Sequence, residues 1–204
     1  SKHRIDDVSR YLTDAPYEHD GTERLQIVSG GPDTVENNPV KTQYMEIIRT
    51  ARQHIFITTP YLGPDDCLFE NLRNSAMSGV DVKVIIPAVG DHIFVHWNTL
   101  STANELMKHG VRVFLYQNGF IHSKTMFSDG VYCSVGSANL DERSLRLNFE
   151  TNAMIYSKRI HDELLAVFNE DLSNCTEYSC AEFDSMPFSY KIKTRISHFF
   201  KYIA

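Results

Sequence analysis

The strongest constraint on the fold is a pair of short strand-like runs, residues 123–127 and 131–135, on either side of Asp129-Gly130. An Asp-Gly pair between β-branched and aromatic segments favours a tight turn, so the two runs are predicted to form a β-hairpin. The second run ends at Gly136, where small residues allow a backbone to approach a ligand closely. The hairpin is therefore predicted to hold the residues that flank it at one end of a sheet.

Three of those flanking residues have a shared chemical use. His122 and Lys124 are two positions apart, so on a strand their side chains would leave the same face. Lys124 and the carboxamide of Asn139 suit the oxygens of a phosphate, and His122 can act as a nucleophile or carry a proton near neutral pH. No carboxylate cluster or Cys/His pair stands ready to hold a metal, so side chains alone are expected to meet the phosphate charge.

The rest of the chain alternates strand-like and helix-like segments. This rhythm predicts an α/β sandwich with a mixed, largely parallel sheet flanked by helices, to which the hairpin adds antiparallel strands. The predicted strands cover residues 25–29, 54–59, 81–87, 111–116 and, as the last strand, 150–156. The predicted helices cover residues 40–51, 68–76, 97–109 and, as the closing helix, 160–172.

Composition limits which binding partners and which cellular compartment are expected for this chain. The formal charge of −6 argues against nucleic acid, whose binding normally requires a basic face. The four cysteines include no Cys-x-x-Cys pair, which favours a reduced, cytosolic chain, although a bridge between Cys175 and Cys180 is conceivable. No run of about 20 apolar residues is present, so no membrane span is expected.

The spacing of the hairpin residues is more specific than any of its parts. The pattern His-x-Lys-x4-Asp-x6-Gly-Ser-x-Asn resembles the HKD signature of the phospholipase D superfamily. Residues 119–124, 136–144 and 147–152 look like the second HKD half of bacterial cardiolipin synthases, in which Ser or Ala is usual at the position of Ser123. Residues 26–33 and 57–62 are also similar to signatures of that family, and the likeness extends from about residue 25 to residue 172.

The resemblance implies a phospholipase D-like fold and an active site built from two HKD motifs that face each other. One histidine attacks phosphorus and the other protonates the leaving alcohol, roles that need opposite protonation states. Only one His-x-Lys occurs in this sequence. The chain is therefore expected to pair either with the N-terminal HKD domain of the same full-length protein or with a second copy of itself.

The implied reaction is phosphatidyl transfer between two phosphatidylglycerol molecules through a phosphohistidine, with His122 as general acid and base. No cofactor and no metal are implied. Glu150 is expected to hydrogen-bond the histidine, and Asp129 is named in the motif although the resemblance gives it mainly a turn-holding role. The predicted catalytic residues are His122, Lys124, Asp129, Asn139 and Glu150, and the predicted phosphate-binding residues are Lys124, Ser137 and Asn139.

Three segments are predicted along the chain. Residues 1–24 are a linker from a preceding domain that includes a short helix over residues 4–13, and residues 25–175 form the HKD domain. Residues 176–204 are a tail in which a basic, amphipathic helix over residues 188–203 either lies on an anionic membrane surface or packs on its own domain. The full-length protein is accordingly expected at the cytoplasmic face of the cell membrane.

Two other functions stay open at this point. A single-HKD homodimer could be a phosphodiesterase, either a phospholipase or a nuclease, and an isolated half-domain could bind lipid without activity. Asp91-His92 and His96-Trp97 provide only a weak His-x3-His pattern for a metal. An aromatic and imidazole rim near the mouth of an active site is the preferred interpretation of that segment.

Overall fold

The computed structural model describes residues 21–34, 38–130 and 132–187, together with residues 191 and 193. The predicted helix over residues 4–13 and the larger part of the predicted helix over residues 188–203 lie outside these ranges. The strands are β1 (Arg24–Gly30), β2 (His54–Thr58), β3 (Leu62–Gly63), β4 (Asp81–Pro87), β5 (Arg112–Tyr116), β6 (Thr125–Ser128), β7 (Tyr132–Gly136), β8 (Leu140–Asp141), β9 (Glu150–Tyr156) and β10 (Cys175–Tyr178). The helices are α1 (Pro39–Thr50), α2 (Asp66–Met77), α3 (Ile93–Met107), α4 (Glu142–Arg146), α5 (Lys158–Ser173) and α6 (Cys180–Ser185).

Most of the strands belong to one sheet. Over the described ranges it has eight strands in the order β1-β9-β7-β6-β2-β4-β5-β10, and β3 pairs separately with β8. Only β2–β4 and β4–β5 are parallel neighbours in this sheet. The predicted α/β class is confirmed, but the sheet is mostly antiparallel rather than largely parallel. Parallel neighbours need a crossover connection. In this sheet, neighbouring strands are connected in this way only by α2, between β2 and β4, and by α3, between β4 and β5.

Local sequence explains where the helices begin and end. The side chain of Asn38 accepts a hydrogen bond from the backbone N–H of Lys41 at 2.9 Å, and Pro39 occupies the first turn of α1. α2 and α3 are followed by Gly79 and Gly110, whose φ angles of 93° and 94° lie in the left-handed region that glycine adopts without strain.

Apolar side chains cover both faces of the sheet, which produces the predicted sandwich. One core lies between the sheet and helices α1, α2, α3 and α6, and a second core lies between the sheet and α5. β2 contributes Ile55 and Ile57 to the first core and Phe56 to the second, as the alternation of side chains along a strand requires. The continuously apolar strand β4 is likewise buried on both faces.

The domain extends beyond the predicted boundary at residue 175. β10 pairs with β5 as the last strand of the sheet, so β9 is not the final strand and α5 is not the closing helix. Arg112 on β5 and Glu177 on β10 form two hydrogen bonds of 2.8 and 2.9 Å. Phe183 in α6 is buried in the first core. The segment that follows residue 175 therefore completes the sheet before any tail begins.

The predicted hairpin consists of β6 and β7. Asp129 and Gly130 have φ angles of 47° and 77°, in the left-handed region that tight hairpin turns use. β6 begins at Thr125, later than predicted, so His122 and Lys124 precede the strand instead of sharing one of its faces. Backbone pairing still extends to Lys124, whose carbonyl accepts a hydrogen bond from Gly136 at 3.2 Å.

Two histidines connect α5 to β2 beside the second core. Nε2 of His54 lies 3.0 Å from Nε2 of His161, and Nδ1 of the buried His161 lies 3.1 Å from a carboxylate oxygen of Asp162. Both contacts are hydrogen bonds when Nδ1 of His161 carries a proton and donates it to Asp162, while Nε2 of His161 accepts from Nε2 of His54. Burial lowers the pKa of His54, and the neighbouring imidazole lowers it further, against the opposing effect of Asp129.

We expect the free energy of unfolding to decrease as the pH falls below about 6.5. The unfolded chain binds a proton at His54 near that pH, whereas the folded chain binds it only at lower pH. The contribution of His54 to the free energy of unfolding is therefore complete above the unfolded pKa, and it is lost as the pH falls through the folded pKa. Urea unfolding between about pH 8 and pH 5 measures the effect. His54→Gln should flatten the pH dependence of the free energy of unfolding. His92→Gln, at an exposed histidine, is the control and should leave that dependence unchanged. Equal pH profiles for the two variants would contradict the assignment of the effect to His54.

Candidate active site

The candidate site lies at the end of the β6–β7 hairpin that is remote from its turn. Three segments meet there: the residues that precede β6, the loop over residues 136–140 that follows β7, and the end of β2. A small cavity between them is lined by Tyr44, Ile57, Thr58, Thr59, Lys124, Thr125, Met126, Ala138 and Leu140. The hairpin thus brings Lys124 and the loop together as the sequence predicts.

Lys124 is the cation of this cavity. Its Nζ donates to the backbone carbonyl of His122 at 2.7 Å, which is a neutral acceptor. Partial burial lowers the pKa of Lys124, and the nearby carboxylates of Glu150, Asp141 and Asp91 offset this effect in part. A partly desolvated ammonium group that rests on a neutral carbonyl can gain from contact with an anion at the cavity.

His122 lies exposed beside this ammonium group, with aromatic rings around it. The ring of Tyr61 meets it edge-on with centroids 6.4 Å apart, and the ring of Phe120 is tilted against it at 5.3 Å. The imidazole is therefore oriented by ring packing and accessible from solvent, as a group that exchanges protons or attacks a substrate must be.

Tyr61 is itself held by Asp91. Its hydroxyl donates to a carboxylate oxygen of Asp91 at 2.6 Å. Burial and the hydrogen-bonded carboxylate raise the pKa of Tyr61 well above its usual range. Although partial burial of Asp91 acts in the opposite direction, the Tyr61 hydroxyl and His92 hold the pKa of that carboxyl below its usual value. Tyr61 therefore stays a neutral donor that fixes the aromatic side of the site.

Asn139 reaches the site from the loop, but its amide is engaged with Ser144. The backbone N–H of Asn139 and its Nδ2 both point to the Ser144 hydroxyl oxygen, at 3.2 and 3.0 Å. Its side-chain oxygen is buried without a hydrogen-bond partner in the described residues. If the amide is rotated by half a turn, the Ser144 hydroxyl can donate to that oxygen, and the Nδ2 donors take its place. Ser144 therefore controls which end of the Asn139 amide is available to a ligand.

Ser137 and Glu150 form a pair at the start of β9. The Ser137 hydroxyl donates to one carboxylate oxygen of Glu150, and Asn148 donates to the other at 3.3 Å. These are the hydrogen bonds that the described residues make to the Glu150 carboxylate, and the expected bond to His122 is not among them. The carboxylate lies close enough to Lys124 to influence the pKa of that ammonium group. Glu150 therefore lies at the site, but its hydrogen-bond partners are Ser137 and Asn148 instead of the predicted His122.

Asp129 does not belong to the site. It lies in the turn at the opposite end of the hairpin, about 13 Å away along a strand of four residues. Its carboxylate accepts hydrogen bonds from the backbone N–H groups of Arg52, Gln53 and His54, the last two at 3.0 and 2.9 Å. Although burial opposes them, these bonds hold the pKa of Asp129 below its usual value. These contacts support the turn-holding role that the resemblance gives to Asp129, and its inclusion among the catalytic residues stays a prediction.

A buried polar network fixes the loop from behind. The hydroxyl of Tyr44 donates to the carbonyl of Ala138 at 2.7 Å and accepts from Nδ2 of Asn152 at 3.0 Å. The side-chain oxygen of Asn152 accepts from the N–H of Ala138 at 3.2 Å. A Cβ at Gly136 would lie 2.1 Å from that oxygen, so only glycine permits this close approach.

No group of three His, Cys, Asp or Glu side chains in the described residues is arranged to hold a metal ion. The weak pattern of His92 and His96 thus has no third ligand there. Burial lowers the pKa of His96, whose ring packs close to Gly90.

Comparison with known proteins identifies the family. Residues 44–172 match the protein family described as "Cardiolipin synthase, PLD-like domain", which is more than half of the chain. The chain belongs to this family. The predicted resemblance to bacterial cardiolipin synthases is confirmed.

Relatives of this cardiolipin synthase-like domain are themselves cardiolipin synthases by name. The major cardiolipin synthase ClsA of Bacillus subtilis is 44% identical over 177 residues, which cover 87% of this chain and 36% of that protein. A cardiolipin synthase of Listeria innocua is 45% identical over 172 residues, which cover 84% of this chain and 35% of that protein. The chain thus spans about a third of the length of these relatives.

Solved structures confirm the phospholipase D-like fold. The phosphatidylserine synthase of Haemophilus influenzae superposes with a TM-score of 0.71 at 16% identity, over 88% of this chain and 45% of that chain. The phospholipase D family member Nuc of Salmonella typhimurium superposes with a TM-score of 0.66 at 18% identity, over 76% of this chain and 98% of that chain. Within the described residues of this domain, no helix is both long and apolar enough to cross a bilayer.

Sequence reasoning missed the residues that support the site of this cardiolipin synthase-like domain. Tyr61 and Asn152 fall within stretches that resemble the family; Tyr61 follows the apolar strand β2, and Asn152 is a buried polar residue within β9. Tyr44 falls within the segment predicted as a helix over residues 40–51, where the helical spacing places it among apolar residues. Nothing in the sequence shows that its hydroxyl meets a loop more than ninety residues away.

We expect Tyr44→Phe to lower the free energy of unfolding by about 1–3 kcal/mol, because the buried carbonyl of Ala138 loses its donor. Urea unfolding measures the change. Tyr156→Phe is the matched control, since that exposed hydroxyl makes a single long bond to Gln26 at 3.3 Å and its loss should cost no more than about 0.5 kcal/mol. Equal costs for the two variants would contradict the supporting role of the network.

Proposed function

We propose that this chain carries one of the two HKD half-sites of a cardiolipin synthase, and that the complete site transfers a phosphatidyl group between two phosphatidylglycerol molecules. The observation that carries the proposal is the convergence of Lys124, the adjacent His122 and the 136–140 loop in a chain of the cardiolipin synthase family. The domain would act at the cytoplasmic face of the cell membrane on an anionic lipid surface.

The proposed chemistry divides between binding and proton transfer. Lys124 and the Asn139 amide bind the phosphate oxygens, the former as a charge and the latter as a neutral donor. A histidine nitrogen attacks phosphorus, and the bond from phosphorus to the leaving glycerol oxygen breaks while a second histidine protonates that oxygen. The second histidine then takes the proton of the acceptor hydroxyl, whose oxygen displaces the first histidine from phosphorus.

His122 is proposed as the proton carrier, because in the resembling family the nucleophile belongs to the first half. The exposure of its ring beside Lys124 supports contact with a leaving group. Glu150 is proposed to act as a positioning residue, since its carboxylate holds Ser137 and lies close to Lys124.

A second HKD motif is required, and we propose that it comes from the N-terminal HKD domain of the same full-length protein. The extra length of the relatives supports this source. The exposed apolar residues Leu25 and Ile27 on β1, together with Val135 on β7, line one face of the sheet near the site. This face is the proposed contact with the second half. The isolated chain should then have little or no transferase activity.

The alternative is a homodimer in which two copies of the chain supply both motifs. Nuc and the Helicobacter pylori protein NucT match this fold over 98% and 100% of their chains, so the fold exists in chains with little beyond it. The mass of the chain in solution distinguishes the two alternatives, because the homodimer requires a dimer and the half-site of a longer protein does not. Turnover by a monomer would contradict both.

A role of residues 188–203 in membrane attachment stays a prediction. Vesicle sedimentation of the intact chain and of a chain ending at Met186 can test it.

We expect His122→Ala and Lys124→Ala to reduce phosphatidyl transfer by the full-length protein at least about a hundredfold, with little change in the thermal melt. Glu150→Gln should reduce it less, because only orientation is affected. The measurement is the conversion of phosphatidylglycerol to cardiolipin in mixed micelles.

Asp129→Asn is the matched control for these variants. Because Asp129 lies at the turn, this variant should lower the melting temperature more than the rate at a temperature where the protein remains folded. Near-normal transfer by Lys124→Ala would remove the role of that cation in phosphate binding.

A further inference from the structure

Three large apolar side chains are exposed together at the start of α3. The exposed fractions are 76% for Val89, 60% for Ile93 and 63% for Phe94. Apolar residues exposed singly are common on soluble proteins, but three large ones within six consecutive residues favour a surface that contacts another molecule. We call Val89, Ile93 and Phe94 the apolar rim.

The apolar rim adjoins the candidate active site. The segment that carries it follows β4, and Asp91 within that segment accepts the hydrogen bond from Tyr61 at 2.6 Å. The ring of Tyr61 in turn lies 6.4 Å from the rings of both Phe120 and His122. Phe120 is itself partly exposed and lies 5.3 Å from the ring of His122, so the segment that carries the rim and an exposed aromatic ring beside His122 are linked through Tyr61.

The fold holds the rim outward on a fixed support. The N–H of Ala88 donates to the carbonyl of Tyr116 at 3.0 Å, which secures the start of the segment. Gly90 packs so closely on α3 that a Cβ there would lie 2.6 Å from the side chain of His96. The segment that carries the apolar rim is therefore held at both of these points, while the rim side chains themselves stay exposed.

A cation flanks the rim. Nζ of Lys193 lies 5.2 Å from the centroid of the Trp97 ring, and that ring meets Phe94 edge-on with centroids 5.3 Å apart. An apolar group with an aromatic ring and a basic side chain at its margin has the chemistry of a surface that enters the headgroup region of an anionic bilayer.

We propose that the apolar rim inserts into the surface of the bilayer and receives the glycerol and acyl part of the phospholipid whose phosphate lies at Lys124. This inference rests on the proposed function, because it assigns the apolar part of the same substrate. The phosphate and the acyl chains of one lipid are covalently joined, so a binding site for the phosphate needs an apolar exit nearby. The exposed residues Leu25 and Ile27, which we assign to the contact with the second HKD half, lie on the edge strand β1. The apolar rim is a separate surface, and we assign it to lipid.

Trp97 allows a direct test, because it is the only tryptophan of the chain and contacts Phe94. Its fluorescence is followed while the 204-residue chain is titrated with phosphatidylglycerol–phosphatidylcholine vesicles whose acyl chains carry bromine. We expect a blue shift and quenching by the bromines. Phe94→Ser and Ile93→Ser should each weaken vesicle partitioning about tenfold, because one large apolar side chain no longer leaves water.

Matched controls come from equally exposed apolar residues elsewhere. Met77 at the end of α2 is 65% exposed and Val167 on α5 is 55% exposed, so Met77→Ser and Val167→Ser should partition as the unchanged chain does. Absence of bromine quenching, or equal losses in rim and control variants, would overturn the proposal. So would a change in the self-association of Phe94→Ser without any change in quenching, because the rim would then bind protein.

The result is independent of the test of the proposed function. Quenching at Trp97 in a full-length protein without transferase activity would support the rim and reject the proposed reaction. Normal transfer without quenching, and without loss in Phe94→Ser, would reject the rim alone.

Discussion

The site depends on the electrostatic position of one ammonium group. Lys124 is partly removed from water, and its hydrogen bond goes to the neutral carbonyl of His122. Three carboxylates lie near enough to favour its charge, yet burial still lowers the pKa. Its contacts with the described part of the chain include no close ion pair, so it can hold a phosphate without that competition. The hairpin, the loop and the buried network all serve to keep it at the cavity.

The two ends of the β6–β7 hairpin have separate tasks. At the turn, Asp129 satisfies three backbone N–H groups at the start of β2, which fixes the hairpin against the sheet. At the other end, the carbonyl of Lys124 still pairs with Gly136, so the cation and the loop share one backbone register. The turn has a structural task and the proposed chemistry belongs to the open end, although one sequence motif contains both.

The longer strands of the sheet, apart from β10, followed from the sequence, because alternation and apolar runs depend on local pattern. The direction of pairing did not, since nothing local shows that β9 returns beside both β1 and β7. β10 was missed because its residues, Cys175–Tyr178, are mostly polar and lie on an edge of the sheet.

The site shows the same division between local and long-range information. The spacing of His122, Lys124 and Asn139 predicted a phosphate site, because the motif lies within one short stretch of the chain, and the structure brings Lys124 and the loop that carries Asn139 to one cavity. The partners of these residues were not predicted: Glu150 holds Ser137 rather than His122, and Asn139 is held by Ser144. Tyr44 and Asn152 reach the loop from distant elements, and such contacts exist only once the chain has folded.

The most direct test of this account is the pKa of the Lys124 ammonium group, measured by NMR on the 15N-labelled chain, with and without inorganic phosphate. Lys124→Gln identifies the resonance. The account predicts a pKa below the usual lysine range in the free chain, because burial disfavours the charge, and a rise when phosphate binds beside it. An ordinary pKa that does not respond to phosphate would contradict the claim that this cation is the phosphate-binding centre of the site.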